Sequence, residues 1–68
     1  MSSLRKLTKL EAAAYQATQT AVQAVVLARL DGATEEEIAR LSRRAQAHRI
    51  QWQGLASKLE VTEQRAFA

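Results

Sequence analysis

One interruption governs what this chain can fold into. The stretch LDGATEEEI, residues 30–38, breaks a sequence that elsewhere consists almost wholly of good helix formers. Proline is absent and the two glycines are Gly32 and Gly54. Gly32 follows the apolar residues of the first half, where a left-handed residue ends a helix at no steric cost. The next residues start another. Thr34 is placed to cap the amide of Glu37, Glu37 can reach back to Thr34, and Ala33 and Ile38 take the two positions of a hydrophobic staple. Glu35, Glu36 and Glu37 put negative charge where the helix dipole favours it. The pattern predicts an all-α chain with helices over about 4–30 and 35–65, joined by a turn at 31–34, in one helical-hairpin domain, 1–68.

The second half carries apolar or seam-type residues at alternating steps of three and four: Ile38, Leu41, Ala45, His48, Trp52, Leu55, Leu59 and Thr62. That is a heptad seam. The first half offers Leu7, Leu10, Ala14, Ala17, Ala21, Ala24 and Ala28. Folded back antiparallel about Gly32, the two series meet at constant register, with Leu7 opposite Leu59, Leu10 opposite Leu55, Ala14 opposite Trp52, Ala17 opposite His48, Ala21 opposite Ala45, Ala24 opposite Leu41 and Ala28 opposite Ile38. Large side chains then meet small ones, as dense packing requires. The expected fold is an alanine-rich antiparallel coiled-coil hairpin. In it Trp52 fills the space above Ala14, and His48 lies over Ala17 and Thr18, whose hydroxyl is placed to accept a hydrogen bond. Arg5 and Lys6 come level with Glu60. Gly54 falls off the seam, where it lowers helix propensity by ~1 kcal/mol relative to alanine.

A hairpin of 68 residues is too short to bury a large core. Cysteine is absent and His48 is the sole histidine, so neither disulfides nor a His/Cys zinc site can compensate. Association is the remaining route. Between Glu11 and Arg29 the first helix has no charged residue, and beside the alanines it carries Tyr15, Val22, Val25, Val26 and Leu30. A helix apolar around most of its girth is normally covered on more than one side. These five residues are the expected partner interface, occupied either by a second copy in a four-helix bundle or by a helical protein that docks in a groove.

Catalysis finds no support. Asp31 sits in the turn, His48 stands alone in the seam, and no nucleophile, base and orienting group can be assembled. No cofactor loop or metal spacing is present. Trp52 and Gly54 spell the W-x-G of a family of small secreted helical hairpins, but in mid-helix rather than at the turn. The net charge of +3 permits nucleic acid without requiring it. Arg29, Arg40, Arg43, Arg44 and Arg49 form the candidate patch for a nucleic acid or an acidic partner. Glu36, four residues before Arg40, favours a solvated face instead. No apolar run reaches the ~20 residues of a membrane span, and the amino-terminal stretch lacks signal-peptide character, so a cytoplasmic protein is expected.

Two resemblances add to this. The stretch GATEEEIARLSRRAQA, residues 32–47, resembles the turn and second helix of the small co-chaperones of type III secretion needle subunits, with Ile38, Leu41 and Ala45 as the matching apolar series. That resemblance implies a cytoplasmic hairpin that joins a helical chaperone to keep an aggregation-prone subunit soluble. LARLDGATEEEI, residues 27–38, is similar to the turn of the Rop family of plasmid copy-number proteins, with Leu27, Leu30, Asp31 and Ile38 at the same spacing. It implies a homodimer that binds paired RNA loops, with Tyr15 and Gln19 standing for the aromatic and the glutamine of the RNA face; Glu11 and Val26 depart from that pattern.

Overall fold

The computed structural model describes the backbone of residues 2–67 and the side chains of residues 4–65. It consists of α1, Ser2–Leu30, and α2, Glu35–Phe67, packed along their length as an antiparallel hairpin 51 Å long and 14 by 13 Å across. Both helices run two residues beyond their expected outer ends. Met1 and Ala68, included in the expected domain, lie outside the described residues. No helix among the described residues is long and apolar enough to cross a membrane.

The turn follows from its sequence bond by bond. Gly32 takes a φ of +76°, and its N–H donates to Arg29 O at 3.3 Å while Ala33 N–H donates to Ala28 O at 2.9 Å. This is a Schellman closure, in which the left-handed residue lets two otherwise orphaned carbonyls find donors. Two residues later Thr34 Oγ1 accepts from Glu37 N–H at 3.2 Å, and Thr34 O accepts from Ile38 N–H at 3.0 Å. The Glu37 carboxylate does not complete the capping box. It turns toward Arg40, with Oε1 3.8 Å from Nη2.

The α2 seam lies where the periodicity puts it: Ile38, Leu41, His48, Trp52, Leu55, Leu59 and Thr62 are half-buried and Ala45 is buried. On α1 Leu7, Ala14, Ala21 and Ala28 face the seam as expected, but the second row is different. It runs through Leu4, Glu11, Thr18 and Val25, each half-buried or buried, whereas Leu10 is 48% exposed. Ala17 and Ala24 flank the seam, half-buried. The cause is geometric. In a left-handed pair the seam alternates between steps of three and four, so the row beside Leu7, Ala14 and Ala21 can sit on either side of it. In this second row the chain turns Glu11, Thr18 and Val25 inward and leaves Leu10 exposed and Ala17 and Ala24 at the margin.

Leu10 therefore does not face Leu55; Glu11 takes that level. The contacts of Trp52 confirm the register independently. Its ring is bracketed by Glu11 and Tyr15, one turn apart on α1, which puts it level with Ala14 between them.

Thr18, 8% exposed, donates its hydroxyl to Ala14 O at 2.8 Å, and Thr62 does the same to Lys58 O. Back-bonding of this kind lets threonine sit in a seam without an unpaired hydroxyl. The hydrogen bond expected between Thr18 and His48 does not form; His48 stands beside Ala17, Ala21 and Ala24 instead. Among the described residues no buried side-chain nitrogen or oxygen lacks a partner. Arg40 with Glu37 is the one ion pair there, so Arg5 and Lys6 do not reach Glu60.

Candidate interaction surface

Because the seam is narrow, each helix shows two flanks to solvent. One flank of α1 carries Tyr15, Val22 and Val26, 43%, 37% and 51% exposed, and ends at Leu30 near the turn. At 100° per residue these positions, with Gln19 among them, form a stripe along α1 about a third of a turn from the seam. Val25 does not belong to it. Its side chain is half-buried and turned into the hairpin, one step of the helix away from its exposed neighbour Val26.

Tyr15 is held from two sides. Its ring lies 5.3 Å from the Trp52 ring, tilted by 55°, a favourable arrangement for two aromatic quadrupoles. Its hydroxyl oxygen accepts from Gln19 Nε2 at 2.7 Å. Trp52 in turn donates its indole N–H to Glu11 Oε1 at 2.6 Å across the hairpin. The chain Glu11, Trp52, Tyr15, Gln19 fixes the aromatic end of the stripe to both helices. Below it, Tyr15, Thr18, Gln19, Val22, Arg49 and Trp52 line a groove of about 270 Å³.

The opposite flank is built of smaller groups. Ala17, Thr20, Ala21, Ala24, Leu41, Arg44 and His48 line a groove of about 390 Å³ there. His48 is half-buried in its wall and makes no hydrogen bond. Leu27 is 59% exposed, outside the expected interface.

The arginines are dispersed. Arg49 borders the groove beside Tyr15, and Arg44 borders the other one beside His48, so the two stand on opposite flanks. Arg40 and Arg43 lie on the outer surface of α2 beside Glu36 and Glu37, and Arg29 is exposed at the end of α1. The expected patch is thus spread over three sides of the hairpin and interrupted by carboxylates. No group of three or more histidines, aspartates and glutamates that could hold a metal occurs among the described residues.

The sequence signal for Glu11 was its position four residues before Tyr15 and three before Ala14, at the head of the uncharged run. A carboxylate there has a structural use once a tryptophan N–H is known to point across the seam. The chain matches no family model, no curated protein and no solved structure.

Proposed function

We propose that this chain is a non-enzymatic protein-interaction module, a small adaptor or chaperone-like subunit, whose interface is the stripe Tyr15, Val22, Val26 and Leu30 and whose partner is helical. One observation carries the reading: these side chains are exposed on a helix without a charge between Glu11 and Arg29. A solvent-facing helix surface is ordinarily studded with charge, and a continuous apolar flank marks an interaction site. Tyr15, Gln19, Val22 and Val26 recur at the i, i+4, i+7, i+11 spacing by which one helix docks along another. The resemblance of residues 32–47 to needle-subunit co-chaperones supports the same kind of role. The dispersal of the arginines does not favour the nucleic-acid alternative, which needs its charges on one side.

The test is the pair Val22→Glu and Val26→Glu, made together. Self-association measured by light scattering and capture of helical proteins by the immobilised chain should both be lost, with helix content retained. If the variant behaves as the parent in both assays, the stripe is not the interface.

A further inference from the structure

We infer that the helical partner of the stripe is a second copy of this chain, bound antiparallel through α1 about a two-fold axis passing between Thr20 and Ala21. The inference rests on reading the stripe as an interface. Three observations lead to it.

The first is area. The hairpin exposes 5501 Å². A folded monomer of 7.5 kDa has an accessible surface of about 4,250 Å². The excess of about 1,250 Å² exceeds the ~800 Å² that each partner gives to a standard interface.

The second is self-complementarity along the stripe. The uncharged run from Ala12 to Ala28 is centred on Thr20. Turned about an axis half a residue beyond that centre, between Thr20 and Ala21, Tyr15 faces Val26 of the second copy and Gln19 faces its Val22, large against small, with each pair repeated by symmetry. Gln19 enters this interface with its amide already donating to the Tyr15 hydroxyl at 2.7 Å.

The third is charge. The free end of α1 is basic, with Arg5, Lys6 and Lys9, and the hairpin tip is acidic, with Asp31, Glu35, Glu36 and Glu37. Antiparallel docking brings the basic end of each copy level with the acidic tip of the other. Parallel docking would instead stack Arg5, Lys6 and Lys9 on themselves and align the two helix dipoles. The arrangement leaves the charge-poor helix inside and the charged α2 outside.

Sedimentation equilibrium of the purified full chain should give twice the 7.5 kDa chain mass. Since the chain has no cysteine, Thr8→Cys and Gln23→Cys can each carry a spin label. An antiparallel pair places the two Thr8 labels about 38 Å apart along the helix axis and the two Gln23 labels about 8 Å apart. Charge reversal at Arg5, Lys6 and Lys9 to glutamate leaves the stripe and the seam intact, and should weaken the dimer several-fold at low salt. Similar short distances at both labels would overturn the antiparallel axis, and a dimer that survives Val22→Glu with Val26→Glu would move the contact to another face. A monomer at millimolar concentration whose capture of other helical proteins still depends on Val22 and Val26 would overturn the second copy while leaving the interface reading in place.

Discussion

The hydrogen bond from Trp52 to Glu11 is, among the described residues, the one polar side-chain contact that ties the two helices together away from the turn, and its strength can be measured directly. Trp52→Phe removes the indole N–H and keeps an aromatic ring beside Tyr15; Glu11→Ala removes the acceptor. A hydrogen bond to a charged group contributes ~1.5 to 3 kcal/mol. Both side chains are half-buried, so water competes for each group and the lower end applies. The coupling energy from the two single variants and the double variant should therefore be ~1.5 kcal/mol. With an m-value of about 1.5 kcal/mol per molar urea, that corresponds to a displacement of the midpoint by about 1 M between additive and observed behaviour. The assay is urea unfolding followed by circular dichroism, with all four proteins at one concentration because association adds to apparent stability. A coupling below about 0.5 kcal/mol, the limit within which groups that do not touch add independently, would refute the contact and with it the inward placement of Glu11.

The two glycines should respond in opposite directions. At Gly54 a Cβ would meet nothing within 4 Å, so Gly54→Ala should raise the thermal midpoint, consistent with a gain of ~1 kcal/mol from helix propensity, and leave the solution mass unchanged because the residue lies away from the stripe. At Gly32 the φ of +76° costs an L-residue ~1 to 2 kcal/mol, so Gly32→Ala should lower the midpoint despite open space around it, and an unchanged melting curve would count against the Schellman turn.

The turn and the α2 seam were legible because each rests on residues with one good use. A glycine followed two positions later by a capping threonine and three glutamates has no comparable alternative, and Ile38, Leu41, Trp52, Leu55 and Leu59 are large enough to declare a side. The α1 seam was harder for the opposite reason. From Ala12 to Ala28 seven of the residues are alanine, and alanine's small side chain costs little wherever it points, so two adjacent rows had equal claims. Reading inward by apolar character selected Leu10, Ala17 and Ala24. The hairpin selects by volume and hydrogen bonding, which brings in Glu11, Thr18 and Val25. Thr18 hides its polarity in its own backbone and Glu11 meets an indole N–H, two forms of compensation invisible to a pattern of apolar letters. Val25 and Val26 show the limit most plainly: neighbours of one residue type, 100° apart, one turned into the hairpin and the other left in water.

The same alanines explain why the chain has a surface to spare. Small residues at Ala14, Ala21 and Ala28 bring the helix axes close, and close axes leave little room between them. Within the described residues the buried side chains are Ala14, Thr18 and Ala45, and none of the large ones is fully enclosed. Leucines and Trp52 meet the seam at its edges and remain partly wet. Two helices alone cannot do better, because each apolar face of an isolated pair looks outward over half its circumference. Enclosure would need a further layer, and α1 offers the cheaper side, since α2 turns Arg40, Arg43 and Gln46 outward beside its exposed Ile50 and Val61 and would have to desolvate charge to be covered. The uncharged run of α1 thus has one physical account that covers both its composition and its place. On the interface proposed above, α1 is the helix with a neighbour on two sides, α2 across the seam and a second helix along the stripe of Tyr15, Val22 and Val26.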